Sequence, residues 1–426
     1  MKKYKELSRE ELETLRSELQ KAFEDAKGKG LSLNMARGKP SPLQLDISGE
    51  LCDALTSSSD FITESGIDIR NYGELTGLPE AKKLMGDMMG VDADKVIVFG
   101  NASLPIMYDT VSRSYAFGVN GSTPWCKLDK VKFLCPVPGY DRHFAITEQF
   151  GIEMIAVPMD DNGPDMDIVR KYVESDDSVK GIWCVPRFSN PAGVVYSDDV
   201  VKAFATLKPA AEDFRIYWDN AYAVHSLYDD APKLLDIIGE CEKAGHPDMI
   251  FEFCSTSKIS FAGAGIAAMA SSADNLAWVK KTMTIQTIGY DKVNQLRHVR
   301  YFKDIDGIRE HMKKHAEILR PKFEAVYDEF EKELSGLDIA TWTTPKGGYF
   351  ISFNAMEGTA KEIVAKCKEA GVTLTGAGAT YPYGKDPKDS NIRIAPSFPS
   401  AEDMKKAAEV FVLCVKLVTV EHLLGA

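Results

Sequence analysis

Seven short apolar runs recur between about residue 94 and residue 270, separated by stretches of helical pattern. They read KVIVFG, VKFLCPVPGY, EMIAVPM, VKGIWCVPR, RIYWDNAY, MIFEFCSTS and GIAAMAS. Continuous apolarity with β-branched residues suits strands buried on both faces, since a strand open to water on one side alternates polar and apolar residues. Parallel neighbours need a crossover long enough for a helix, so alternation of runs with helical patterns predicts an α/β fold. The expectation is a mainly parallel seven-stranded sheet sandwiched by helices, forming a large domain over residues 51–304.

The two chain ends read differently. Leu7, Leu12, Leu15, Leu19 and Phe23 recur at helical spacing, with Ser8 and Glu11 placed as a capping box. A second periodic run from Ile305 to Leu334 predicts one long helix, bent at Pro321. LDIATWTTPKGGYFISF, a helix over about 359–370, NIRIAP and a last helix then read as α+β. Residues 1–50 and 305–426 are therefore expected to form a smaller α+β domain together.

Composition closes off several classes of function. The chain of 426 residues carries 51 basic and 63 acidic side chains, a net charge of −12, which argues against nucleic acid or an anionic membrane as a partner. The eight cysteines include no C-x-x-C pair, and several lie inside apolar runs, so neither a metal site nor a redox pair is expected. The charged N-terminal segment lacks the apolar core of a signal peptide, and no stretch has the length of a membrane span. A cytoplasmic protein is the expectation.

In an open α/β sheet, ligands sit beyond the carboxyl ends of the strands. Five polar segments follow apolar runs: GNAS, PVPGY, RFSNPAG, DNAY and STSK. Singly each has an ordinary use, Asn-Pro as a turn, Asp as a helix cap and Lys as a solvated charge. In this order and spacing, from RGKP near the start to NIRIAP near the end, they resemble the fold type I aminotransferases, which use pyridoxal 5′-phosphate (PLP). MARGKPSPLQLDIS, GNASLPIMYD, STSKISFAGAGIA and KVNQLRH are most similar to a divergent bacterial subgroup of aspartate aminotransferases.

That resemblance implies a PLP-dependent transferase fold and a transaminase acting on an amino acid, aspartate first, and a 2-oxo acid such as 2-oxoglutarate. Alanine or aromatic substrates, or a β-lyase reaction on the same fold, are the alternatives. It implies Lys258 as the lysine bonded to the cofactor, Asp219 as the carboxylate on the pyridine nitrogen, Asn190 and Tyr222 as donors to the phenolic oxygen, and Tyr140 as the ring stacked on the cofactor. Asn101, Ala102, Ser103, Ser255 and Ser257 match the phosphate-binding positions, with Ser260 as a further donor. The arginine usual eight residues after the lysine is missing, and Ile266 stands there. Arg393 matches the clamp on the substrate α-carboxylate, joined by Asn190, and Gly38 a position that leaves room for substrate. Arg37, Lys292 and Arg297 are candidates for a distal carboxylate. The resemblance further implies a homodimer with shared active sites, in which Tyr72 reaches the partner's cofactor phosphate.

Overall fold

In the computed structural model, which describes residues 2–425, all seven apolar runs form strands of one sheet. Its order is Val96–Val98, Ala267–Ala270, Ile250–Ser255, Arg215–Asp219, Val179–Cys184, Lys132–Val137, Glu153–Asp160 and Gly163–Pro164. The eighth strand is a two-residue antiparallel return at the edge, and a Gly-Pro pair leaves no apolar run by which to count it. The central strands pair in parallel. Ala267–Ala270 runs antiparallel to both its neighbours, which makes the sheet mixed.

Alternation along each strand divides its side chains between two cores. Ile216 and Trp218 pack in one with Leu84 of helix Pro79–Met89 and Phe204 of helix Asp198–Ala205. Tyr217, between them, packs in the other with Met107 of Ser103–Phe117 and Val279 of Ala273–Gln286. Both faces are covered, as the unbroken apolarity of the runs requires.

Ser8 caps helix Arg9–Gly28: its Oγ accepts from the Glu11 N–H (3.2 Å), and the Glu11 carboxylate accepts from the Ser8 N–H (2.6 Å). That helix and the 30-residue helix Ile305–Leu334, with Pro321 inside it, both pack on the last helix, Ala401–Gly425. Phe23, Phe330 and Phe411 thereby share one core contributed by both chain ends. Beside it lies an antiparallel sheet of Ala340–Trp342, Ile351–Ala355 and Asn391–Ile394. The Met35 N–H donates to Thr373 C=O (2.8 Å) and its C=O accepts from the Ala395 N–H (2.9 Å). These bonds fix residues 35–40 next to the strand that carries Arg393. No helix among the described residues is long and apolar enough to cross a membrane.

Candidate active site

Asp219 is the last residue of its strand and lies 3% exposed. Its Oδ2 accepts from His143 Nε2 at 3.0 Å, and because a carboxylate only accepts, that nitrogen carries the proton. The His143 ring stacks on Trp183 at 4.4 Å, and Thr147 fixes both, accepting from Trp183 Nε1 (2.7 Å) and donating to His143 C=O (2.8 Å). Asp219 Oδ1 is buried with no partner among the described residues. A buried oxygen left bare beside one that is rigidly held is costly unless a donor arrives from outside the chain.

Lys258 stands one strand over, three residues past the end of Ile250–Ser255. Its Nζ lies 4.9 Å from the Tyr222 ring centre, and it makes no ion pair among the described residues. Burial pushes its pKa down while the charge of Asp219 opposes the shift, which favours an amine able to attack a carbonyl carbon. Burial raises the Tyr222 phenol well above its ordinary range. Tyr140, whose ring meets His143 edge-on at 4.9 Å, is pushed up to about 12 by burial and then by Asp219. Beneath the lysine, Gln44 donates to the Tyr349 hydroxyl (2.9 Å), which donates to Lys258 C=O (3.4 Å).

The segments expected to hold a phosphate converge on Gly265. A Cβ there would lie 3.0 Å from Asn101 C=O, Ser257 N and Thr256 Oγ1, so any side chain would push these pieces apart by a few tenths of an ångström. Ala102 caps helix Ser103–Phe117, and Ser255 and Ser257 share a hydroxyl hydrogen bond of 2.7 Å. Ser260 is not among these donors. Its fully buried hydroxyl bonds His298 Nε2 (2.8 Å) and donates to Thr256, because the turn over residues 256–260 folds it back on its own segment. Ile266 packs in the core, and its N–H donates to Thr256 Oγ1 (2.9 Å).

Arg393 NH1 donates to Asp141 (2.7 Å) and, at 3.4 Å, to Asn190 Oδ1, while NH2 reaches Thr375 Oγ1 at 3.4 Å. The guanidinium lies over the Phe350 ring, 5.1 Å from its centre. Gly38 lies against the same ring: a Cβ there would come within 2.1 Å of Phe350, so its missing side chain makes room for a protein ring. Of the distal candidates, Arg37 is exposed, Lys292 Nζ donates to Gly73 C=O (3.1 Å), and Arg297 Nε is buried without a partner among the described residues. Tyr72 is not brought to Lys258 within one chain; it is 83% exposed and lines, with Lys292, a separate cleft of about 480 Å³.

His143, Asp141, Tyr349 and Phe350 were not legible as site residues. The first two sit in the first turn of the helix that follows PVPGY, a position with no strand-end signal of its own.

The geometry can be set against known proteins. A family model described as aspartate amino-transferase matches residues 7–426. An aspartate aminotransferase of Corynebacterium glutamicum is 47% identical over 406 residues, 95% of this chain and 94% of that one. A solved aspartate transaminase from Corynebacterium glutamicum superposes with a TM-score of 0.96 at 45% identity, covering 99% of both chains. An α-aminoadipate aminotransferase of Thermus thermophilus, solved with N-(5′-phosphopyridoxyl)-L-leucine, shares the fold at 18% identity, with a TM-score of 0.73 over 93% of this chain and 94% of that one. The match runs through every strand end described above, and on that ground this chain belongs to the aspartate aminotransferase family, PLP-dependent enzymes of fold type I that move amino groups between amino acids and 2-oxo acids.

Proposed function

We propose that this protein is a PLP-dependent transaminase for aspartate and 2-oxoglutarate, working in the cytoplasm as a homodimer and built as a large domain (51–304) and a small one (1–50 with 305–426). The observation that carries the cofactor is the bare, buried Asp219 Oδ1 close enough to Lys258 for its charge to act on the amine. When bound, PLP supplies an electron sink that makes the proton on an amino acid's Cα removable.

The chain's own residues do the rest. Asp219 Oδ1 would hold the proton on the pyridine nitrogen, and His143 aims the carboxylate by donating to Oδ2. Lys258 would anchor the cofactor, and its amine is the group that would move the proton at substrate Cα. Asn190 and Tyr222 donate to the phenolic oxygen, and Tyr140 covers the ring. Ser255, Ser257 and the N–H groups of Asn101, Ala102 and Ser103 at a helix start receive the phosphate dianion. Arg393 takes the α-carboxylate through its planar fork. One of Arg37, Lys292 and Arg297 supplies the cation for a second carboxylate.

The 47% identity to the Corynebacterium aspartate aminotransferase supports aspartate as donor. A single-turnover assay across a panel of amino acids tests this. Stoichiometric 2-oxo acid, with aspartate fastest, is the expected result. Ammonia release would mean a lyase, and faster turnover of alanine or phenylalanine would remove the aspartate assignment.

A further inference from the structure

The shortest contact of Arg393 is to a carboxylate of the chain itself. Asp141 Oδ1 sits 2.7 Å from NH1, on a cation otherwise hydrogen-bonded only to the neutral side chains of Asn190 and Thr375 among the described residues. We infer that Asp141 is a built-in competitor for substrate, holding Arg393 between turnovers and giving it up when a carboxylate ligand enters. The inference rests on the reading of Arg393 as the α-carboxylate clamp.

Guanidinium offers five N–H groups, and a carboxylate binds two at once, either side-on through Nε and NH2 or end-on through NH1 and NH2. Nε is buried with no partner among the described residues, and the end-on edge, NH1 with NH2, is the one that faces the polar side chains of Asp141, Asn190 and Thr375. End-on binding needs NH1. NH1 already donates to Asp141 at 2.7 Å and to Asn190 at 3.4 Å, and of the two only Asp141 carries the charge that a substrate carboxylate would replace.

Charge and exposure explain why such a device is useful. The Arg393 side chain is only 8% exposed, and a cation so enclosed without a counter-ion is strongly unfavourable. Asp141 supplies that counter-ion when substrate is absent, and substrate replaces it charge for charge. Asp141 also has somewhere to go. Its side chain is 35% exposed and belongs to the first turn of helix Asp141–Gln149, where free N–H groups and the helix dipole favour an anion. Every carboxylate ligand therefore binds against this internal competitor, at the same cost whatever its amino group or side chain.

Succinate, which carries carboxylates and no amine to react, is the probe. Its binding to the PLP-loaded enzyme is measured by calorimetry for wild type, Asp141→Asn and Arg393→Ala, with the melting temperature of each recorded. Asparagine keeps the shape and capping ability of aspartate and removes the charge. Asp141→Asn should bind succinate about tenfold more tightly, the scale of one charge-assisted hydrogen bond no longer competed for, and Asp141→Ser should follow it. Weaker or unchanged binding in both variants, with Arg393→Ala crippled, would overturn the competitor and leave Asp141 as a fixed support for the arginine. Unchanged binding in Arg393→Ala would instead remove the clamp reading beneath it.

Discussion

Asp219 commits one carboxylate oxygen to His143 and keeps the other bare, and that asymmetry separates a site residue from a helix cap. The sequence marks Asp219 as the polar end of an apolar run, but not the histidine, because the two stand 76 positions apart in the chain. Asp219→Asn can still accept from His143, so the fold and melting temperature should persist, while turnover falls by several powers of ten, as expected when an ion pair on a developing charge is lost. Comparing kcat and melting temperature checks this; near-normal kcat would return Asp219 to a structural role. Its strand neighbour Glu252 makes a different prediction. It pairs in register with Trp218, and its Oε1 accepts from Asn220 Nδ2 (2.9 Å), which holds the turn after Asp219. Burial raises this carboxyl from 4.5 to about 8. The folded state therefore prefers the protonated acid, and the stability it contributes is complete below about pH 4.5 and lost as pH rises to about 8. Glu252→Gln keeps the acceptor and cannot ionise. It should melt like wild type near pH 4.5 and be more stable at pH 8, by on the order of 3 kcal/mol; equal melting at both pH values would show that Glu252 ionises without penalty.

At the level of elements, what could be read was what chemistry makes local. Apolar runs gave the strands, Ser8 and Glu11 gave the start of the first helix, and the three-and-four spacing from Ile305 gave a helix of the expected bounds. What depends on one element's placement against another was hidden. Ser260 looks like a spare donor in the Ser-rich stretch, yet the helix carrying His298 claims its hydroxyl. Gly38 reads as a position that leaves room for substrate, and nothing local in the sequence shows that the Phe350 ring stands where its Cβ would be. Gly265 is the converse, an inconspicuous residue in AGAG on which the pieces of the phosphate-binding reading converge. Gly265→Ala should push the lysine loop off Asn101 by a few tenths of an ångström. PLP retention on dialysis should fall at least tenfold, while the far-ultraviolet circular dichroism stays that of wild type. Full retention of PLP would mean that these segments do not jointly hold the phosphate.

For the molecule as a whole, the single chain leaves apolar and aromatic side chains facing water: Ile285 is 89% exposed, Tyr72 83% and Ile288 61%. Gly289 and Tyr290 follow Ile288 directly and line the same cleft as Tyr72 and Lys292, so these side chains belong to one region of the surface. Large apolar residues gathered in this way mark a surface made to be covered. A second copy of the chain is the covering expected of this family, and it would bring Tyr72 to a phosphate site that Ile266 and Ser260 leave without two donors. Two measurements follow. Sedimentation at assay concentration should give a dimer, and activity should fall on dilution below the dimer constant. Tyr72→Phe removes one hydroxyl from an exposed position, so folding is untouched, yet PLP affinity should drop roughly ten- to hundredfold, the scale of one hydrogen bond to a charged group. A fully active monomer would defeat the shared site. A dimer in which Tyr72→Phe holds PLP as tightly as wild type would keep the interface and take the Tyr72 hydroxyl out of the phosphate site.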